Sequence, residues 1–462
     1  MTSPRLFSRR EILATGSALA SLGATRSGAA PPDFAAVGRA GTPVTRGQST
    51  APTADDYVPP PESEGGWRTG DARTLGIDPD RLRAAVRYHD TSPVTTSYGG
   101  ALVVIHRGFV VAESYVTGEA GGPARWTAAT CNDMKSSTKS AFGTAVGVFL
   151  DEHGDRVTLD SRLVGRSRDE SLVPGIWEQP LTDPRKAAIR VRHALSMTSG
   201  HESPEPWLAP TARQHTPGHR GPFQMYEYCF GWWGFAGVAN QHTLKFAPGT
   251  GFNYSNYGLE LLALAMRDIS GEEVGPYLYD RVLGPIGMPR SLRDRQYREM
   301  PYSDARELNF GDEAGWGRGG SLGCNAYGAD RGASPLGYNS IVGSTLRCTA
   351  RDFARLAYLW LRGGRWAGRQ LVPAAWLGEA TRRFVRENGE TPNNYGYTFW
   401  TWDGEAGVPP DLYMSRGHNM NHSYVIPSLD LVVVRQGNDN RRLVDGEPFQ
   451  TALIQRIVAA FT

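Results

Sequence analysis

Ser136 and Lys139 stand at i and i+3 at the head of a stretch that reads as a helix. Ser137, Thr138 and Lys139 lead into Ala141, Phe142, Ala145, Val146, Phe149 and Leu150, an amphipathic pattern that Gly154 can end. On a first helical turn the two side chains face the same way. A serine hydroxyl is a poor nucleophile at neutral pH until a base takes its proton, and a lysine amine can be that base once burial disfavours its charged form. The start of a helix adds free backbone N–H groups and a positive dipole end, both suited to a developing oxyanion. The spacing therefore points to acyl transfer through a serine nucleophile. Taken alone, it also fits a capping serine beside a surface lysine.

Two later segments carry the same chemistry further. Phe246 to Gly258 is a turn-rich loop holding Tyr254, Ser255 and Asn256 just before an apolar run that begins at Leu259. A tyrosine there can pass a proton between nucleophile and leaving group, and an asparagine can hold both the lysine and a substrate amide. Met414 to Asn421 enters a strand at Ser423, and a strand edge beside the nucleophile can offer a backbone N–H, here that of Asn421, to an oxyanion. His418 in this segment either contacts substrate or is a structural hydrogen bonder.

The elements that must position these groups are legible from pattern. Ala101–Ile105 and Val110–Tyr115 flank Arg107-Gly108 and predict a hairpin; Ser423–Ile426 and Leu431–Val434 flank Pro427–Asp430 and predict a second. Asp78-Pro79 is an N-cap followed by proline at the first helical position. A last helix begins at Pro448 and carries Phe449, Leu453, Ile454, Ile457, Val458 and Phe461 on one stripe. Strand pairs and helices from both ends of the chain are thus expected in one layered domain. The middle, with helix-like runs such as Leu259 to Ile269 between Pro- and Gly-rich connections like Gly311 to Gly337, reads as a mostly helical insertion whose loops cover a cleft.

At 462 residues the chain exceeds what one core usually organises. A formal charge of +2, with 40% apolar and 21% charged residues, supplies no basic footprint for nucleic acid, so a small-molecule or peptide acyl substrate is expected. Paired arginines in Ser8-Arg9-Arg10, a mildly apolar stretch from Ile12 to Ala24 and small residues around Ala29 read as a twin-arginine export signal over residues 1–30. That predicts a periplasmic or secreted protein. No segment reaches about 18 uninterrupted apolar residues, so no membrane span is expected. Residues 31–70, with Pro59-Pro60-Pro61, read as a linker or surface arm. Cys131, Cys229, Cys324 and Cys348 show no Cys-x-x-Cys spacing, and buried free thiols are expected. His201-Glu202 lacks the second histidine of His-Glu-x-x-His, and no residue pattern calls for a metal or cofactor.

Taken together and in this order, the three segments resemble the serine β-lactamase and penicillin-binding-protein superfamily, in its branch of class C β-lactamases, esterases and related serine hydrolases. The resemblance runs from about residue 70 to the C-terminus. Val191 to Gly200 is similar to the family's helix-and-turn after the nucleophile helix, Pro248 to Asn256 to its tyrosine loop, and Ser344 to Trp366 to its return into the α/β domain. It implies an α+β fold, an antiparallel sheet flanked by helices, with the α/β domain built from residues 71–154 and 341–462 and a helical insertion over 155–340. It also implies that Ser136 is acylated, Lys139 is the activating base, Tyr254 protonates the leaving group and Asn256 orients substrate. The N–H groups of Ser136 and Asn421 would bind the oxyanion.

One departure stands out: the family's third motif reads Lys-Thr-Gly or His-x-Gly, and this chain has His418-Asn419-Met420. The missing lysine argues against tight binding of a β-lactam carboxylate, and Met420 stands where a glycine lets substrate approach.

Other readings remain open at this level. The same site can serve an acyltransferase using a non-water acceptor, or a non-catalytic penicillin-binding sensor. Gly319-Gly320-Ser321-Leu322-Gly323 formally matches a nucleophile elbow, yet it lies in a glycine-rich loop without the strand and helix that motif needs. The aromatic run from Phe223 to Trp233 either lines an acyl pocket or packs in a core.

Overall fold

The structure, a computed structural model, describes residues 57–119, 126–167, 169–173, 181, 183–201, 243–255, 257–272, 274–288, 346–383, 394–402, 404, 406–439 and 443–462. The export signal, Cys229, Cys324, the Phe223–Trp233 run, the Gly319–Gly323 match and most of the Gly-rich connection lie outside the described residues.

Both predicted hairpins form. β1 (Gly100–His106) pairs with β2 (Phe109–Val116) across Arg107 and Gly108, whose φ angles of 50° and 78° are what a tight right-twisted hairpin turn requires. β7 (Asn421–Ile426) pairs with β8 (Leu431–Gly437). With β5 (Trp400–Thr401) and β6 (Tyr413–Gly417) they make a six-stranded sheet in the order β2-β1-β8-β7-β6-β5. Every pairing in it is antiparallel, and Val103 opposite Val434 joins the two ends of the chain at its centre.

Continuous apolar runs in β1 and β8 have a simple cause: the sheet is covered on both faces, so alternate residues feed two different cores. Val103, Ile105, Val432 and Val434 pack toward α2 (Thr138–Glu152) and α5 (Ala350–Leu361), where Phe142, Phe149, Phe353 and Trp360 are buried. Leu102, Val104, Leu431 and Val433 pack on the opposite face with Ala85 of α1 (Pro79–Thr91) and with Phe449, Leu453, Ile454 and Ile457 of α6 (Phe449–Val458). Asp78 caps α1 as its sequence position demands, its Oδ1 accepting from the N–H groups of Asp80 and Arg81.

The helix that follows Ser136 departs from the amphipathic reading: α2 is buried on all sides from Thr138 to Phe149. It runs between the sheet and the described part of the 155–340 stretch, whose α3 (Val191–Leu195) and α4 (Tyr257–Ser270) share its apolar core. Glycine makes that fit possible. A Cβ at Gly143 would strike Thr398, and one at Gly147 would strike the Trp376 ring. The Pro-rich tract is fastened to the domain from Tyr57 onward. Arg355 donates to the carbonyl of Pro59 at 2.7 Å and pairs with Glu62 at 2.9 Å, and Trp67 is buried. Thr69 bridges Val110 at the β2 edge. Among the described residues no helix is long and apolar enough to cross a membrane.

Candidate active site

The turn that carries Ser136 is built from a short strand and a strained residue. β3 (Cys131–Asp133) pairs with β4 (Arg347–Thr349), and the chain then turns through Met134 into a 3₁₀ turn, Lys135–Ser137, that feeds directly into α2. Lys135 has a φ of 51°, which lifts Ser136 out at the head of the helix. Cys131 and Cys348 are buried free thiols on this strand pair, as expected for those two cysteines.

Ser136 and Lys139 meet. The Lys139 Nζ lies 3.1 Å from the Ser136 Oγ, with the lysine 1% exposed and the serine partly open. The ring of Tyr254 stands beside the same amine, its centroid 4.9 Å from Nζ. Tyr254 is stacked on Trp400 of the edge strand, centroids 5.7 Å apart, and meets Tyr395 edge-on at 6.1 Å. The ring is therefore wedged between the Lys139 amine and an indole, while its hydroxyl makes no hydrogen bond among the described residues.

The tyrosine loop is zipped to the segment after α3. The N–H groups of Gly249 and Asn253 donate to the carbonyls of Thr198 and Met197 at 2.8 and 2.9 Å, and the Asn253 amide donates to the carbonyl of His201 at 2.6 Å. The N–H of Ser255 reaches the Met197 sulfur at 3.5 Å. Asn256, the expected substrate-orienting residue, lies outside the described residues.

The third segment closes the site from the sheet side. Ser137 Oγ donates to the Asn421 carbonyl at 2.6 Å and accepts from Ser415 Oγ at 3.1 Å, and Ser415 and Ser423 share a further bond of 2.8 Å across β6 and β7. Gly417 sits so close to this turn that a Cβ there would strike the Met134 carbonyl and come within 2.9 Å of the Asn421 carbonyl. Only glycine fits at 417.

The structure corrects two expectations for this segment. Asn421 was expected to face an oxyanion through its N–H, but that N–H closes the 418–421 turn onto the His418 carbonyl. Its buried amide is held in the sheet by Asn132, the His418 carbonyl and Gly437 at 2.8–3.0 Å. Met420, expected to block substrate in place of glycine, instead turns its side chain into the core on the α1 and α6 face. His418 is exposed at the start of the turn.

Strain marks the site. Five of the nine described non-glycine residues with positive φ belong to the segments that hold it: Lys135, Met197, Thr398, Asn419 and Met420, at 51–63°. Each costs about 1–2 kcal/mol relative to a right-handed residue and persists because neighbours over-determine it. Thr398 is an example, its carbonyl accepting from Ser140 of α2 at 2.7 Å and its N–H donating to Leu195 at 3.0 Å. Sequence reading missed Thr398, Ser415 and Trp400. A lone Thr, Ser or Trp carries no spacing signal.

With a buried amine on a partly open hydroxyl at the head of a helix, the arrangement has the parts of a serine acyl-transfer centre. The sequence profile of the Beta-lactamase family matches residues 93–453, the whole of this site and sheet included. The chain belongs to the Beta-lactamase family. As a member it is a Beta-lactamase-family serine hydrolase, and several of the proteins it is similar to carry hydrolase descriptions. A beta-lactamase-like crystal structure from Bacteroides dorei DSM 17855 shares the fold at a TM-score of 0.56 and 17% identity, covering 83% of this chain and 99% of that one. EstCE1, described as a hydrolase with promiscuous acyltransferase activity, shares it at 0.53 and 16% identity, covering 83% and 97%. A D-aminopeptidase of Gluconobacter oxydans (strain 621H) is 30% identical over 64 residues, which span 14% of this chain and 12% of that protein. Among the described residues no cluster of His, Cys, Asp and Glu is grouped to hold a metal ion.

Proposed function

We propose that the chain hydrolyses an ester or amide through an acyl-enzyme on Ser136. The observation that supports it is the 3.1 Å approach of the Lys139 amine to the Ser136 hydroxyl inside a buried, partly open corner. In this reading Ser136 Oγ attacks the substrate carbonyl as its proton passes to the Lys139 amine. The bond to the leaving group breaks while Tyr254 Oη gives that group a proton. Water then attacks the acyl-serine with Tyr254 taking its proton, and the carboxylic acid leaves as Ser136 regains its own. The hydroxyl of Tyr254, on a ring fixed by Trp400, suits this exchange with solvent and substrate.

The test is a panel of p-nitrophenyl esters, D-amino-acid amides, linear amides and β-lactams, run beside Ser136→Ala with intact-protein mass spectrometry. An acyl adduct on Ser136 and loss of turnover in the variant support the reading. Turnover that survives Ser136→Ala ends it. The amide arm draws on the D-aminopeptidase likeness. A persistent adduct without turnover would instead mark a penicillin-binding sensor.

Acyl transfer is the second reading. The partly open rings of Phe252, Tyr254 and Trp400, backed by buried Tyr395, give an alcohol or amine acceptor an apolar seat beside the acyl group. Acceptor esters accumulating at the expense of free acid would favour it. The proposal also places the protein outside the cytoplasm by the twin-arginine route; Arg9→Lys with Arg10→Lys should retain it inside on fractionation.

A further inference from the structure

The 418–421 turn has a conformation its sequence does not favour. Asn419 has φ 60° and ψ 26°, Met420 has φ 60°, and Asn421 N–H bonds back to the His418 carbonyl. Two consecutive left-handed residues in a tight turn call for Asn-Gly or Gly-Gly. Asn419 suits the first position, but a methionine at the second is strained. Something outside the turn must hold it.

That something is a buried cation on β8. Arg435, 1% exposed, donates from Nη1 to the Asn419 carbonyl at 2.7 Å and to the Met420 carbonyl at 3.3 Å, and from Nη2 to the Val94 carbonyl at 3.3 Å. Its guanidinium lies over Phe449 at 5.5 Å, on the α1 and α6 face of the sheet. It fills the space a Cβ at Gly437 would need. Burial lowers its pKa to about 10, so it stays charged at neutral pH. A charged donor on both carbonyls of the left-handed pair satisfies groups that would otherwise be buried without partners, and it does so only while the turn stays left-handed.

The consequence reaches the other face. In a trans peptide the N–H points opposite to the C=O. Drawing the Asn419 carbonyl toward Arg435 aims the N–H of Met420 away from that core, on a turn that packs against the nucleophile turn. We propose that Arg435 is a positioning residue that locks the 418–421 turn so that the Met420 N–H, in place of the engaged Asn421 N–H, meets the oxyanion formed at Ser136. The proposal rests on the acyl-enzyme reading of this site.

The experiment compares Arg435→Met, Arg435→Lys and the pair Asn419→Gly with Met420→Gly, alone and combined, in the full chain on a p-nitrophenyl ester. Folded fraction is taken from circular dichroism. Since one oxyanion donor is worth about 10²–10³ in kcat, Arg435→Met should lower kcat by about 10² with KM changed less than about threefold. Adding the glycine pair, which holds the left-handed turn without a clamp, should return at least about tenfold of that loss. A folded Arg435→Met with wild-type kcat, or a loss the glycines leave untouched, overturns the proposal. If Arg435→Met does not fold, Arg435→Lys with and without the glycines decides by the same comparison. If the wild type is never acylated at Ser136, the acyl-enzyme reading has failed on its own account. The clamp is then read from melting: the glycines, which also empty the Met420 core position, must shift Tm more favourably in Arg435→Lys than in the wild type, and equal shifts refute it.

Discussion

Ser137 donates to the carbonyl of Asn421 at 2.6 Å, so the residue after Ser136 is tied directly to the strand that closes the candidate site. Both groups are fully buried, and Ser415 completes the link. Ser137→Ala leaves the Asn421 carbonyl and the Ser415 hydroxyl without this partner, an omission that costs about 1–3 kcal/mol at a buried site. Urea unfolding should report that loss, and kcat should fall with it because the hydroxyl fixes the distance between nucleophile turn and strand. Unchanged stability and unchanged kcat together would mean that the two elements are held by other contacts.

In the proposed mechanism Lys139 is the residue on which the proton step turns. Its amine lies 3.1 Å from the Ser136 hydroxyl, and the residue is almost wholly buried. General-base assistance is worth about 10²–10⁴, so Lys139→Met should slow acylation by that factor while the fold survives, since a methionine fills most of the same volume. Stopped-flow release of p-nitrophenol measures it. An acylation rate within about threefold of wild type, well inside that range, removes Lys139 from the mechanism.

At Gly417 the strand and the nucleophile turn touch, with the Met134 carbonyl and the Ser137 N–H both inside the space of a methyl group. Gly417→Ala must push the strand end and the turn apart, and overpacking of this kind costs about 1–3 kcal/mol. The reacting atoms lie one residue away, so kcat should fall more steeply than the loss of stability alone explains. The comparison is kcat against folded fraction at one temperature. A variant that is destabilised yet fully active per folded molecule would place the catalytic geometry elsewhere.

Pattern made the two hairpins, the Asp78 cap, the last helix and the pairing of Ser136 with Lys139 readable, because each depends on near neighbours in sequence. Lys139 lies within one helical turn of Ser136, and the hairpin runs alternate toward two cores as strands must. What sequence did not carry is set by long-range packing. The α2 helix looked amphipathic because Ser, Thr and Lys head it, but Ser137, Thr138 and Ser140 are buried against Asn421, Leu346 and Thr398, residues more than two hundred positions away. Arg435 reads as an ordinary strand residue until the left-handed turn above it is seen. Met420 looked like an obstruction because the sequence does not show that positive φ sends its side chain to the far core.

Acid should unfold this protein early, and the reason lies in its buried imidazoles. His89, His201 and His422 are all fully buried, and burial holds each below the ordinary value of 6.5, His201 down to about 3. In the unfolded chain the same rings protonate near 6.5, so below that pH the unfolded state binds more protons. The sign follows: stability is complete above about pH 6.5 and is lost as pH falls toward the folded values, by up to about 1.4 kcal/mol per pH unit for each ring. Asp183 extends the loss at the acid end. Burial works against its charge, but Arg185 and the N–H groups of Leu244 and Arg185 hold its pKa down to about 2, so its contribution persists until pH falls below the ordinary carboxylate range. Urea unfolding free energies at pH 8, 7, 6 and 5 should be flat between the first two and then fall steeply. Salt should change the slope little, because buried groups are weakly screened. His422→Gln, which can keep the contact to Tyr424 that the ring makes at 3.1 Å, should reduce the slope by about one proton's share. A stability that does not change between pH 7 and 5, or a slope unaltered by His422→Gln, would mean that these rings take up protons in the folded state despite their burial.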